Sequence, residues 1–159
     1  MFFNGQFQNG YVTGNLERAV EIMGARCAIE HFDFDDVAIP VRTPSGAGVA
    51  EFRVALAWTG HHHLELIQPG DGLVDLYRDY LPSGATLRFH HFGMRCADLA
   101  PVRLAAAEKH WPVALEGSVP GIDFLYLDAR ADLGHYLEYI CASPEGWAGL
   151  RWPAGLEIS

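Results

Sequence analysis

The chain has 159 residues, half of them hydrophobic and 19% charged. That is enough apolar side chain for one compact domain or two small fused modules, and too little charge for a disordered chain. A formal net charge of −9 opposes nucleic acid and anionic membranes, and any anionic substrate would need a local positive centre such as a bound metal ion.

In chain order, the first strand is expected over Gln6–Thr13. Asn15 then caps a helix carrying Leu16, Ala19, Val20 and Met23 at the spacing of one apolar face. Cys27–Phe34 alternates like a strand, Thr43–Gly48 reads as a turn, and Val49–Trp58 and His61–Gln68 supply two further strands. The first module thus spans 1–70 in the order βαβββ. Pro69-Gly70-Asp71-Gly72 breaks the pattern, and 71–87 reads as a linker with a helical stretch over Leu73–Leu81. Residues 88–142 repeat the order. A strand over Arg88–Cys96 leads to a helix capped by Asp98 and ended by Trp111-Pro112, and strands follow over Pro112–Glu116, Phe124–Asp128 and Gly134–Cys141. The tail, 143–159, reads as irregular, with Trp147 and Trp152 expected to pack on something such as a partner subunit.

The two halves match in detail. QNGYVTGNL (Gln8–Leu16) parallels HFGMRCADL (His91–Leu99), with the same seven-residue offset from Gln8 to Asn15 and from His91 to Asp98. His62–Ile67 (HHLELI) likewise parallels His135–Ile140 (HYLEYI). Each half therefore opens on a possible ligand, Gln8 or His91, and closes on a carboxylate in an apolar strand, Glu65 or Glu138. Alternate residues of a strand share a face, so His61, His63 and Glu65 point one way and His62, Leu64 and Leu66 the other. Gly134, Tyr136 and Glu138 share a face in the second half. If the first strand of each half lies beside its last, Gln8 neighbours Glu65 and His91 neighbours Glu138. One imidazole with carboxylate and amide oxygens suits a divalent ion, which would stabilise an enolate-like species as a Lewis acid.

The stretches HLELIQP (His63–Pro69), FHHFGMRCADL (Phe89–Leu99) and LGHYLEYI (Leu133–Ile140) make the chain resemble the vicinal oxygen chelate superfamily, which includes glyoxalase I, methylmalonyl-CoA epimerase, extradiol dioxygenases and bleomycin-resistance proteins. The resemblance runs from about Gln6 to Ala142. It implies an α+β fold of two tandem βαβββ modules whose curled mixed sheets surround a metal-binding cleft, and a homodimer, with the cleft within one chain or across two. It implies a divalent metal (Ni, Co, Mn, Fe or Zn) on Gln8, Glu65, His91 and Glu138, with Glu65 or Glu138 doubling as the base. His63 and Tyr136 are the expected substrate contacts.

The implied function is a glyoxalase-like lyase or an isomerase or epimerase. It would act on a small carbonyl compound through an enediolate chelated by the metal. The alternative is a metal-free protein of the antibiotic-resistance type that sequesters a small ligand, and an extradiol-type dioxygenase is a third reading. Gln8 stands where many relatives have His, which weakens the dioxygenase reading. The epimerases' acid, sought in Ser45–Val49 before the third strand, is absent there, and Glu51 sits displaced from that position. His90 and His135 are expected to be structural, on the faces opposite His91 and Glu138. Cys27, Cys96 and Cys141, with no CxxC spacing, read as small buried strand residues rather than a disulfide framework or a zinc knuckle. Arg53, Arg88 and Arg95 could hold an anionic substrate but read first as solvated surface residues, and Phe52, Trp58, Phe124 and Tyr126 as sheet and core residues. MFFNGQFQNG has no basic region followed by an apolar stretch, and no apolar run approaches ~18 residues. Neither a signal peptide nor a membrane span is expected, and the protein is read as cytoplasmic.

Overall fold

A computed structural model describes residues 3–157; the outermost two residues of the expected first module and of the expected tail lie outside it. The first half runs β1 (Gln6–Val12), α1 (Leu16–Cys27), β2 (Asp33–Thr43), β3 (Gly46–Thr59) and β4 (His62–Gly72). A short helix, α2 (Asp75–Arg78), links it to β5 (Arg88–Arg95), α3 (Leu99–Glu108), β6 (Val113–Val119), β7 (Ile122–Asp128), α4 (Arg130–Leu133), β8 (Tyr136–Ala142) and α5 (Pro144–Gly149). The strands close into one barrel in the order β1-β4-β3-β2-β6-β7-β8-β5. The two curled sheets are thus joined edge to edge within a single chain. Only β1–β4 and β5–β8 are parallel, and the other pairs are antiparallel, so the sheet is mixed.

α1 and α3 cover the outside of the barrel. Asn15 and Asp98 cap α1 and α3 as their residue types demand, accepting from the amides of Arg18 and Ala100. α1 buries Leu16 and Ala19 against Leu64 and Leu66, and α3 buries Ala106 against Leu125, Leu137 and Tyr139. With those residues committed outward, strand alternation turns Glu65 and Ile67, and Glu138 and Ile140, into the barrel. The interior holds Phe7, Val54, Ile67, Tyr77, Phe124, Tyr126 and Ile140.

Several expectations are corrected. Cys27–Phe34 is not a strand: α1 continues to Cys27, Ala28 caps it in the left-handed region, and β2 begins at Asp33. The alternation was misleading because Phe32 packs with the α1 cluster rather than in a sheet. β2 carries Asp33, Asp35, Asp36 and Pro40, a poor strand composition. It is tolerated because β2 meets β6 only at Val41 and Arg42 and is otherwise an edge. The tail is not irregular throughout: Ser143 caps α5. Nor do its tryptophans need a partner subunit, because Trp147 and Trp152 pack on Phe7 of the same chain at centroid distances of 5.6 and 5.1 Å. No helix among the described residues is long and apolar enough to cross a membrane.

Candidate metal centre

Two β-bulges build the site. In the β1–β5 pairing, Gln6 opposes Met94 and Gln8 opposes Gly93, leaving Phe7 as an extra residue. Farther along, Gly10 opposes His91 and Tyr11 opposes Phe89, leaving His90 as the extra residue. A bulge puts two successive residues against one partner and breaks the alternation of faces. Phe7 and Gln8 both turn inward, and so do His90 and His91. His90 is therefore not on the face opposite His91, as the alternation predicted.

Each opening residue lies over a glycine of the other half. A Cβ added to Gly10 would come within 1.8 Å of His91 Cε1, and one added to Gly93 within 2.4 Å of Gln8 Oε1. The repeated Gln8-x-Gly10 and His91-x-Gly93 patterns are thus two halves of one packing arrangement in which each glycine makes room for the other half's side chain.

His91 Nε2 lies 3.2 Å from Glu138 Oε2 and 3.4 Å from Glu65 Oε2. The three candidate ligand atoms all fall within 4.8 Å of one another. Adjacent ligands about 2.1 Å from a metal ion, at right angles, would stand about 3 Å apart, and opposite ones about 4.2 Å. The spacing therefore suits a shared divalent cation. Gln8 Oε1 is buried without a hydrogen-bond partner, and His91 Nε2, Glu65 Oε2 and Glu138 Oε2 are buried with only one another as ion-pair partners, a costly arrangement unless something else satisfies them. Nitrogen and oxygen donors of this mixture suit a hard-to-borderline divalent ion.

The electrostatics match. Burial alone would lower the His91 imidazole, but the carboxylates of Glu138 and Glu65 outweigh it and raise it to about 9. In the metal-free protein an imidazolium supplies the positive charge that the two carboxylates require. Burial pushes His63 the other way, to about 4, against a weaker pull from Glu65. His63 is therefore neutral near pH 7, and its Nδ1, 3.0 Å from Gln8 Nε2, can accept from the amide. That bond commits the nitrogen end of the amide to His63 and leaves Oε1 as the free end.

Gln8, His63, Glu65 and Glu138 line one cavity of about 270 Å³. Its walls are otherwise mostly apolar, with Val37, Ile39, Phe52, Val54, Leu56 and Ile140 among them, and no Lys or Arg lines it. Arg53 is occupied by Glu17 at 2.7 Å, Arg88 lies over the Tyr80 ring, and Arg95 lies over Trp147 and Trp152. Tyr136 sits outside this cavity: its ring packs on His90 at 4.7 Å, and it lines a separate hollow with Arg130. His135, expected to be structural, bonds through Nδ1 to the Tyr136 carbonyl and packs on Phe89 and Phe92. A larger hollow of about 590 Å³ lies between α3 and the β2–β6 seam, where Arg42 and Arg103 both pair with Glu116.

Three cavity residues escape a sequence reading. Tyr126 stands opposite Glu138 in the β7–β8 ladder, and Tyr77 reaches the cavity from α2. Burial holds both phenols well above their usual range, with Glu138 adding to it, so both are protonated, and they hydrogen-bond each other. Asp35, exposed on β2, lines the cavity. Its signal is the acidic run on β2, one strand earlier than the loop where an acid was sought.

No protein-family model matches the chain, and no curated protein matches its sequence. Solved structures do match its shape. The methylmalonyl-CoA epimerase of Mycobacterium tuberculosis superposes with a TM-score of 0.56 at 11% identity, over 91% of each chain. A variant of the Streptomyces coelicolor methylmalonyl-CoA epimerase, in complex with 2-nitronate-propionyl-CoA, gives 0.54 at 14% identity, over 89% of this chain and 96% of that one. A hypothetical protein of Bacillus halodurans C-125 gives 0.55 at 12% identity, over 89% and 96%. The chain shares the fold of these methylmalonyl-CoA epimerases. That shared architecture covers the paired βαβββ modules, and identities this low carry the fold alone.

Proposed function

We propose that the protein is a metal-dependent isomerase, epimerase or lyase acting on a small carbonyl compound that carries an acidic C–H beside the carbonyl. The observation that carries this reading is the buried cluster of Gln8 Oε1, Glu65 Oε2, His91 Nε2 and Glu138 Oε2, with no hydrogen bond from outside the set, beside a cavity of about 270 Å³. Those four residues would hold the ion. When bound, a divalent ion supplies Lewis-acid stabilisation for negative charge developing on a carbonyl oxygen.

The protein's own groups supply the rest. The Tyr77–Tyr126 phenol pair stays protonated and can donate to a substrate oxygen. Three carboxylates line the cavity to move the proton: Glu65, Glu138 and Asp35. Apolar walls without Lys or Arg favour a substrate with an apolar body and exclude water around the reacting carbon. The structural neighbours named as methylmalonyl-CoA epimerases support proton transfer beside a carbonyl as the reaction class.

The test is solvent-deuterium exchange followed by NMR on metal-loaded protein, with racemisable thioesters and thiol adducts of 2-oxoaldehydes. Exchange at the C–H beside the carbonyl, abolished by chelation, is expected. Glu65→Gln, Glu138→Gln and Asp35→Asn then assign the base as the variant that loses exchange while keeping its metal. Ligand binding unaffected by chelators, without exchange of any substrate, would instead favour sequestration by a metal-free protein.

A further inference from the structure

His90 has no part in the ligand set, yet it is fully buried and engaged at both ring nitrogens. Its Nε2 is 3.1 Å from the carbonyl oxygen of Leu76, and its Nδ1 is 3.0 Å from Nδ1 of His91. A carbonyl oxygen only accepts, so Nε2 of His90 carries a proton and donates it. In the neutral ring Nδ1 is then a bare acceptor. Among the described residues, the partner for that acceptor is a proton on Nδ1 of His91. The chain runs in one direction, from His91 Nδ1–H to His90, and from His90 Nε2–H to Leu76.

We propose that His90 is a positioning residue that fixes both the ring orientation and the tautomer of His91, placing the proton on Nδ1 and aiming Nε2 between Glu65 and Glu138. The inference rests on the metal site proposed above for its consequence, but not for its geometry. The same Nδ1–H bond serves both states of the site. With His91 as an imidazolium, Nε2–H faces the two carboxylates; with a metal ion, Nε2 presents its lone pair. Only Nε2 changes, so the ring need not turn.

The local fold supports the chain. The bulge at His90 turns it inward. Leu76 belongs to α2, and the amide four residues on, Tyr80 N–H, bonds to Tyr77 instead. The Leu76 carbonyl is thereby released from the helical pattern for His90. The rings of Tyr77, Tyr80, Tyr126 and Tyr136 surround the imidazole at centroid distances of 5.1, 5.4, 6.0 and 4.7 Å, and hold its plane. The linker between the halves thus becomes part of the site. A group that orients a ligating histidine through its second nitrogen commonly changes metal affinity by 10–100-fold when removed.

The experiment uses the full chain labelled with ¹⁵N at histidine, metal-free and zinc-loaded, as wild type, His90→Phe and His90→Asn. Asn keeps an acceptor oxygen near the place of Nδ1; Phe keeps the volume and loses the acceptor. The wild type is expected to show a slowly exchanging, hydrogen-bonded Nδ1–H on His91 with and without zinc. His90→Phe is expected to lose that signal and bind zinc about 10–100-fold more weakly. His90→Asn should keep the signal and recover most of the affinity. If His90→Phe does not fold, the His90→Asn spectrum decides alone. The inference is overturned if metal-free wild type has no protected Nδ1–H on His91, if His90→Phe matches wild type in signal and affinity, or if His90→Asn loses the signal while folded. If no zinc binds but the protected signal is present and depends on His90, the positioning stands and the metal reading fails.

Discussion

The two halves of the barrel solve one problem with their parts exchanged. Gln8 and His91 open the halves, Glu65 and Glu138 close them, and Gly10 and Gly93 each make room for the other half's opening side chain. Register makes His63 of β4 the counterpart of Tyr136 of β8, because they pair with Gln8 and His91. The bulges make Phe7 the counterpart of His90. In the first half the polar brace is on the last strand, where His63 holds Gln8, and the aromatic support is Phe7, its ring 6.1 Å from His63. In the second half the polar brace is on the first strand, where His90 holds His91, and the aromatic support is Tyr136, its ring 4.7 Å from His90. A duplicated frame needs one imidazole brace and one aromatic ring beside each opening residue, and it does not matter which strand supplies which.

The glycines break this symmetry most sharply. Gly10→Ala drives a Cβ into the fully buried His91 ring, whereas Gly93→Ala meets the Gln8 amide oxygen and, at 2.8 Å, the Gln8 Cβ. Gly10→Ala is expected to cost at least about 1–3 kcal/mol of stability, the usual range for overpacking. Gly93→Ala should cost less, because the amide end can swing and the remaining overlap, with the Gln8 Cβ at 2.8 Å, is milder than the overlap of three atoms of a caged ring. Urea denaturation of both variants measures the difference, and equal costs would contradict the unequal freedom of the two side chains.

The braces are next. His63→Leu removes the acceptor that orients Gln8, and should weaken metal binding by about tenfold, at the low end of the range for a supporting group. The effect falls below that of His90→Phe because a neutral amide contributes less to the ion than an imidazole does. Calorimetric titration with cobalt or nickel measures both, and a larger loss for His63→Leu would reverse the assigned importance of the halves.

The protons give the finest comparison. His91 is raised to about 9, so at pH 7.5 it must lose a proton to ligate, and binding should release about one proton per ion. Affinity should fall as pH falls below 9. His63, lowered to about 4, is already neutral at pH 7.5 and should release none. Binding enthalpies in buffers of different ionisation enthalpy count the protons. A His91→Gln variant that still binds should release none, and continued release would move the titrating group elsewhere.

The repeat and its alternation made most of this frame legible in the sequence. The period-two rule placed Leu64 and Leu66 outward and Glu65 inward, and the matched motifs singled out the residues that meet at the centre. What escaped depends on pairing between the halves. Whether His90 faces inward is decided by a bulge against β1, and nothing in Phe89-His90-His91 announces it. Tyr77 reaches the cavity only because α2 docks over the barrel. β2 was missed because edge strands at a cavity tolerate the Asp and Pro that interior strands reject. That the tail's tryptophans pack on something is legible in the sequence, but not that the surface they cover is Phe7 and Trp58 of the same chain.

The central claim is that one ion is shared by both halves. Metal content by elemental analysis, with calorimetric titration, on untagged wild type, Glu65→Ala and Glu138→Ala tests it most directly. The account predicts one divalent ion per chain in the wild type and a loss of at least about hundredfold in affinity from either variant, since each removes a charged ligand beyond the 10–100-fold range of supporting groups. A wild type that takes up no nickel, cobalt, manganese or zinc, or one carboxylate variant that binds as the wild type does, would contradict it.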